Sequence, residues 1–192
     1  MNTEKSREDI LEAARQLFSR RGYHSTMSEI VQASGRSKGT IYHYFDNKQD
    51  LFETMINEVI GRLYRDITEI GQTDAEFEKK LRMLIEAIIV FYREHGELAY
   101  TFFMSAGTEL KKKAMEWHFN FNEATKNILR EGVNSGYLAE TDVNLLSHSL
   151  IGLTRAFSPP LMKEDYDSAV MVDFVMKLYL EGVRAKNDTE AV

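Results

Sequence analysis

The chain has 192 residues, 43% of them hydrophobic and 28% charged, which is an ordinary composition for a globular protein with its own core. It contains no cysteine, so disulfides, thiolate metal sites and cysteine nucleophiles are excluded. The net charge is −6, but residues 1–52 carry eight Lys/Arg against seven Asp/Glu, so the acidic excess lies beyond them. An acidic total therefore does not exclude a DNA-binding surface near the N-terminus.

The N-terminal segment mixes charged and apolar residues at helical spacing. It lacks the continuous apolar region of a signal peptide or membrane anchor. The longest apolar runs, such as AIIVF at 87–91, fall far short of the roughly 20 residues that cross a bilayer. We therefore expect a cytoplasmic protein with no membrane partner.

The whole chain is predicted to be helical. Apolar residues recur at spacings of three and four, and proline occurs only at positions 159 and 160. The first helix carries an apolar stripe from Ile10 to Phe18 and stops near Gly22. This pattern predicts an all-α fold of about nine helices.

Capping residues divide the next segment into short helices. Thr26 and Glu29 form a T-x-x-E capping box, and Gly35 is a natural residue to end that helix. Ser37 can cap a helix that runs to about Phe45, and Asn47 can cap a fourth that runs to about residue 70. Two short helices separated by residues 35–37 have the length of a helix-turn-helix.

Longer helices are predicted beyond Gly71, near residues 74–94, 97–106, 110–134, 142–157 and 167–184. We therefore predict two domains. Residues 1–50 form a small domain with the helix-turn-helix, and residues 51–192 form a larger helical body.

The second short helix, within SKGTIYHYFDNK at 37–48, has two faces of different character. At about 100° per residue, Ile41 and Phe45 point the same way and are predicted to face the core. Gly39 and His43 point away from the core, where glycine allows a close approach to DNA and histidine can contact a base edge. A short aromatic-rich helix is also compatible with plain core packing, and periodicity alone leaves both interpretations open.

The segment 10–51 closely resembles the DNA-binding domain of the tetracycline-repressor (TetR) family of bacterial transcriptional regulators. The resemblance covers about a quarter of the chain. The matching residues are Ala14, Phe18, Gly22, Tyr23, Thr26, Ile30, Ala33, Gly35, Ser37, Gly39, Thr40, Tyr42, Tyr44, Phe45, Lys48 and Leu51.

The resemblance implies a homodimer with one helix-turn-helix in each subunit and a ligand pocket in the C-terminal body. It also implies two sets of DNA contacts. The residues expected to hold phosphates are Thr26, Thr40, Tyr42 and Lys48, and those expected nearest the bases are Arg36, Ser37, Lys38, Gly39 and His43. Tyr44 departs from the commonest family pattern, and its hydroxyl is a further candidate for phosphate contact.

Two apolar helices near the end of the chain are candidates for the dimer interface. Periodicity alone allows them either to bury each other within one subunit or to pair with a second copy. The family resemblance, in which the last two helices form a four-helix interface, favours pairing. The interface residues expected are Leu146, Leu150, Leu153, Phe157, Val172, Val175, Met176 and Tyr179.

Aromatic and methionine residues in the middle helices predict a largely apolar effector pocket, although such residues also fill ordinary cores. Trp117 and Phe121, spaced i and i+4 beside His118, are the first candidates. The full set of expected ligand-binding residues is Phe91, Tyr100, Phe103, Met104, Trp117, His118, Phe121 and Met162.

No catalytic residue, metal site or cofactor is predicted. The chain lacks HExxH, paired ExxH and GxxxxGK[ST] motifs. The favoured function is a repressor that an unknown small, largely apolar effector releases from a palindromic double-stranded DNA operator. The alternatives are a helical ligand carrier or enzyme that retains an unused DNA-binding head, and an activator or effector-independent regulator.

Overall fold

The computed structural model describes residues 3–104, 108–158, 161–162 and 164–183. They form eight α-helices, with a 3-10 turn at Gly22–His24 between the first two. The helices are α1 (Thr3–Arg21), α2 (Met27–Ser34), α3 (Lys38–Tyr44), α4 (Lys48–Gln72), α5 (Phe77–Met104), α6 (Thr108–Asn134), α7 (Val143–Arg155) and α8 (Ser168–Val183). The predicted all-α fold is confirmed.

One helix boundary was predicted wrongly. The two helices expected at 74–94 and 97–106 are a single helix, α5, which continues through Gly96. A glycine inside a helix costs only about 1 kcal/mol relative to alanine. The buried Leu98 and Ala99 directly after Gly96 offset that cost by packing, so the helix does not break there.

The caps of the short helices follow the predicted pattern. The Glu29 amide donates to the Thr26 hydroxyl over 3.3 Å, and the Thr26 amide donates to the Glu29 carboxylate over 2.7 Å. Gly35 ends α2 with a φ of +62°, a left-handed conformation that glycine adopts without strain. Ser37 caps α3 by accepting the Thr40 amide at 3.1 Å. These contacts set the direction in which α3 leaves the turn.

The chain forms two compact units. The first contains the chain up to Arg62 together with His95–Met115. Its core is built around the rings of Phe18, Tyr23 and Phe52, in which Phe52 meets the other two edge to face at 4.8 and 4.9 Å. Within this unit, Lys113 of α6 also forms an ion pair with Glu53 of α4.

The second unit contains Leu63–Glu94 together with the chain from Glu116 onward. Gly132 of α6 lies directly against the Phe77 ring, since a Cβ atom at position 132 would come within 2.3 Å of it. The ammonium of Lys80 is buried beside this contact and pairs with the Glu131 carboxylate at 2.9 Å. Helix packing here is too close for any larger side chain at position 132.

The domain boundary predicted after residue 50 does not coincide with the boundary between the two compact units. It falls in the first turn of α4, whereas the first compact unit extends to Arg62. The boundary therefore remains a prediction. None of the described helices combines the length and apolarity needed to span a membrane.

Candidate functional site

The short helix α3 has one buried face and one open face. Ile41 is fully buried and Phe45 is 2% exposed, as their spacing predicted. Gly39 and His43 are exposed on the other face. A Cβ atom at position 39 would meet only the Ser37 hydroxyl, at 3.9 Å. The open face of α3 therefore has room for a groove of DNA to approach its backbone.

Polar and aromatic side chains surround this open face. Tyr42 is 44% exposed, and the Lys38 ammonium lies 5.8 Å from the centre of its ring. The His43 ring meets the half-buried Tyr44 ring edge to face at 5.0 Å. Because α3 presents a cation, a phenol and an imidazole together, it offers donors both for phosphates and for base edges.

Three of the predicted DNA-binding hydroxyls already have partners within the protein. The Thr26 hydroxyl takes part in the α2 capping box. The Ser37 and Thr40 hydroxyls lie 2.8 Å apart and share one hydrogen bond. The Thr26 proton is directed to the Glu29 carboxylate, whereas the Ser37–Thr40 hydrogen bond uses only one of two hydroxyl protons and leaves the other able to donate to a phosphate.

Two of the predicted cations are held by neighbours that the sequence pattern did not reveal. The Arg36 guanidinium forms an ion pair with Asp9 of α1. The Lys48 ammonium donates to the Tyr23 carbonyl over 2.8 Å and lies 4.2 Å from the centre of the Tyr23 ring. Burial, and then the Glu53 carboxylate, raise the pKa of the Tyr23 phenol. Asp9 and Tyr23 therefore each hold one of the predicted DNA-binding cations.

All ten residues predicted to bind DNA belong to the first compact unit. The structure brings together Arg36, Ser37, Lys38, Gly39, Thr40, Tyr42, His43 and Tyr44 on α3 and the turn before it, with Thr26 and Lys48 at the starts of α2 and α4. Their contacts with DNA remain a prediction.

The residues predicted to bind the effector are divided between the two units. Phe91 and Phe121 are buried, Trp117 and Met162 are half-buried, and His118 is exposed, all in the second unit. Tyr100, which is 47% exposed, belongs to the first unit. The side chains of Phe103 and Met104 lie outside the described part of the structure.

A groove in the second unit contains none of these predicted residues. It has a volume of about 290 Å³ and lies between α4 and α6. Its lining is Tyr64, Ile67, Thr68, Gly71, Gln72, Glu123, Ala124, Asn127, Ile128 and Glu131. The lining carries amide and carboxylate groups, in contrast to the apolar inventory that was predicted, so the predicted effector residues remain a prediction.

Most of the predicted dimer residues are buried within a single subunit. The Tyr179 hydroxyl of α8 donates to the Leu146 carbonyl of α7 over 2.9 Å, joining the two helices. Leu153 and Phe157 alone are half-buried. The buried members are Leu146, Leu150, Val172, Val175, Met176 and Tyr179. These six side chains are buried within their own subunit, and their contact with a second copy remains a prediction.

A different set of apolar side chains on the same two helices is exposed. Leu145 of α7 is 68% exposed, and Val170, Phe174 and Leu178 of α8 are 56%, 55% and 49% exposed. Phe174 lies edge to face with Phe157 at 6.5 Å. We call Leu145, Val170, Phe174 and Leu178 the exposed α7–α8 face. The signal for it was the i, i+4, i+8 spacing of Val170, Phe174 and Leu178.

Comparison with known proteins identifies the class of molecule. The family model described as bacterial regulatory proteins, tetR family, matches residues 10–55. The fatty acid metabolism regulator protein of Bacillus subtilis is 28% identical over 188 residues, which cover 92% of this chain and 95% of that protein.

Two solved structures agree with that relationship. The fatty acid degradation regulator FadR from Bacillus halodurans has a TM-score of 0.77 and 29% identity, covering 92% of this chain and 99% of that one. The transcriptional regulator FadR from Bacillus subtilis, solved in complex with stearoyl-CoA, has a TM-score of 0.78 and 27% identity over the same shares. The family model, the helical fold and these relatives together identify residues 10–55 as a DNA-binding domain of the tetR family and show that the chain as a whole is similar to transcriptional regulators of that family.

Proposed function

We propose that the protein is a dimeric transcriptional repressor that binds a palindromic operator and leaves it when a long-chain acyl-CoA binds the C-terminal body. DNA binding requires the compartment that contains the DNA, which in a bacterium is the cytoplasm. The proposal joins three elements, namely a DNA-binding head, a dimer interface and an effector site, and each has its own support.

The open face of α3 is the single observation that carries the proposal. His43 and Gly39 are exposed opposite the buried Ile41, and Lys38 and Tyr42 stand beside them. Phosphate contacts from Lys38 and Tyr42 would orient the helix, while His43 reaches a base edge in the major groove. A protein that only carried a ligand would need neither the phosphate contacts nor the base contact.

The exposed α7–α8 face supports a dimer. A large apolar cluster on the surface of a monomer is uncommon and is typical of an interaction site. Gly152 of α7 has nothing within 4 Å of its would-be Cβ, so a second helix can approach there closely. A two-fold pair of α3 helices would then contact half-sites about one helical turn of DNA apart.

The acyl-CoA effector is inferred from similarity to the Bacillus subtilis FadR that was solved with stearoyl-CoA. The body of this chain has apolar side chains suited to an acyl tail, among them the buried Phe91 and Phe121 and the half-buried Trp117. An effector can release the operator only if it binds the two conformations of the dimer unequally.

The proposal is tested by fluorescence anisotropy with DNA from upstream of the protein's own gene. We expect specific binding that weakens steeply with salt, and release on addition of stearoyl-CoA. Tyr42→Ala should weaken binding about tenfold. Lys38→Ala should weaken it and lower the salt slope by about one. Lys79→Ala, which removes an exposed lysine from the second unit, serves as the matched control and should change neither quantity.

Two results would contradict the proposal. Equal affinity for every palindrome and for random DNA would remove the operator-specific function. The protein could also bind DNA specifically while stearoyl-CoA, palmitoyl-CoA and the free fatty acids leave that binding unchanged. This result would contradict the acyl effector and favour an effector-independent regulator.

A further inference from the structure

Helices α6 and α7 run antiparallel with a register set by polar contacts. Near one end, the Lys126 ammonium donates to the Asn144 side chain over 3.0 Å. In the middle, the buried Ser147 hydroxyl donates to the buried Asn122 side chain. One turn closer to the N-terminus of α6, the His118 ring faces the His148 ring of α7, with 6.3 Å between the ring centroids. Two imidazoles are therefore brought together by a fixed helix pair.

Arg155 extends this group along α7. It lies seven residues after His148, which is two helical turns, so both residues occupy the same edge of the helix. Side chains on a helix lean toward its N-terminus, which directs the long Arg155 side chain back toward His148. His118, His148 and Arg155 are all exposed, and we call them the α6–α7 cation cluster.

The pKa values of neighbouring groups agree with this proximity. Burial lowers the pKa of His118, and the charges of His148 and then Arg155 lower it further. On α5, burial raises the pKa of the Tyr92 phenol, and Arg155 acts in the opposite direction. The charge of Arg155 therefore acts on both His118 and Tyr92. Groups that can carry the same charge oppose one another's ionisation here, and a bound anion would relieve that opposition.

The hydrogen bond of His148 restricts what the cluster can bind. Its Nδ1 lies 2.7 Å from the Asn144 carbonyl, which can only accept, so Nδ1 carries the proton. In the neutral ring Nε2 then carries a lone pair and can accept a hydrogen bond, whereas in the protonated ring Nε2 is a second donor. A metal ion would use that lone pair but would be repelled by Arg155. An oxyanion would accept hydrogen bonds from protonated His148, His118 and Arg155 at once.

We propose that the α6–α7 cation cluster binds the anionic group of the effector, either a phosphate or a carboxylate. This inference rests on the proposed function, because it assumes that the body binds an amphipathic acyl ligand. The apolar part of such a ligand has surfaces nearby, since Trp117 precedes His118 directly and the buried Phe121 lies one turn further along α6. An anionic head and an acyl tail would thus be bound by neighbouring residues of one helix.

The test is a calorimetric titration of the full-length protein in a phosphate-free buffer with stearoyl-CoA, coenzyme A, stearate and inorganic pyrophosphate. Arg155→Gln and His148→Asn should each weaken the binding of stearoyl-CoA at least about tenfold, as expected for losing a hydrogen bond to a charged group. The matched control Arg130→Gln removes an exposed arginine elsewhere on α6 and should change affinity less than about twofold. Competition by coenzyme A and by pyrophosphate identifies a phosphate as the bound group, and stearate binding that Arg155→Gln weakens identifies a carboxylate.

The outcomes separate this inference from the proposed function. If stearoyl-CoA binds and releases DNA equally well with Arg155→Gln and His148→Asn, the inference is overturned and the proposed function stands. If no acyl ligand binds, but pyrophosphate shifts the His118 and His148 NMR signals and Arg155→Gln abolishes that shift, the anion site stands and the acyl effector fails. If neither pyrophosphate nor an acyl ligand moves those signals, the inference is overturned.

Discussion

The hydroxyl of Tyr179 donates a hydrogen bond to the backbone carbonyl of Leu146 across 2.9 Å and so ties α8 to α7 inside one subunit. Tyr179→Phe removes this bond while keeping the ring. It should lower the free energy of unfolding by about 1 kcal/mol, the usual net value of one hydrogen bond. Urea denaturation measures the change. Tyr166→Phe is the control at a 51% exposed tyrosine and should change stability little, and equal losses in the two variants would contradict the assignment.

Stability should also fall at alkaline pH. Burial raises the pKa of Tyr179 and of Tyr92, and burial followed by Glu53 raises that of Tyr23. Because these pKa values lie above the unfolded value of about 10, the unfolded chain loses its phenolic protons first. The stabilisation is complete below pH 10 and is lost as the pH rises through the folded pKa. Between pH 10 and 11 the free energy of unfolding should fall by about 1 kcal/mol more in the wild type than in Tyr179→Phe. Parallel plots of unfolding free energy against pH would contradict this.

Gly132→Ala should destabilise the second unit. The added methyl would come within 2.3 Å of the Phe77 ring, so α6 or the ring must shift, at a cost of about 1–3 kcal/mol. Gly182→Ala is the matched control, since nothing lies within 4 Å of its would-be Cβ and helix propensity favours alanine by up to about 1 kcal/mol. Thermal unfolding should therefore move in opposite directions for the two variants. If the melting temperature shifts in the same direction in both variants, the Phe77 ring can move aside at little cost.

Asp9→Asn should strengthen DNA binding. Asp9 neutralises Arg36, which stands in the turn before α3. Removing the carboxylate frees the guanidinium and removes a charge that repels phosphates, so affinity should rise a few-fold and the salt slope should steepen by about one. Asp74→Asn, an exposed aspartate of the second unit, should change neither quantity. Weaker binding by Asp9→Asn would mean that Asp9 instead positions Arg36 for contact.

Phe174→Glu should dissociate the proposed dimer without unfolding the subunit. Phe174 is 55% exposed, so a carboxylate there is solvated in the monomer but would be buried and unpaired in an interface across the exposed α7–α8 face. Sedimentation velocity should report a monomer for this variant. Met115→Glu, at a 74% exposed methionine of α6, should remain dimeric. A dimer that survives Phe174→Glu would place the interface elsewhere.

The local architecture of the DNA-binding head was predictable because its signals are local. A capping box such as Thr26 and Glu29, a left-handed glycine such as Gly35 and the i, i+4 pair of Ile41 and Phe45 each act over a few residues. The pairing of Arg36 with Asp9 was not predictable in this way. Those residues are 27 positions apart, and only the folded helix bundle brings them together.

The body was less predictable for a related reason. Periodicity marks an apolar stripe, but it does not say whether the stripe meets another helix of the same chain or a second copy. Leu146 and Val175 meet their own subunit's core, whereas Leu145 and Phe174, which directly precede them, remain exposed. The break expected between residues 94 and 97 was wrong because glycine propensity is a small term beside tertiary packing.

The burial of Lys80 gives the chain an internal reporter of its own folding. Its ammonium is buried and paired with the partly exposed Glu131, whereas the neighbouring Lys79 is exposed. An amine-reactive label would therefore modify Lys79 in the native protein and reach Lys80 only when the helices around it open. Because the two lysines are adjacent in sequence, the ratio of their labelling measures the opening of this unit, and Lys79 serves as the internal standard.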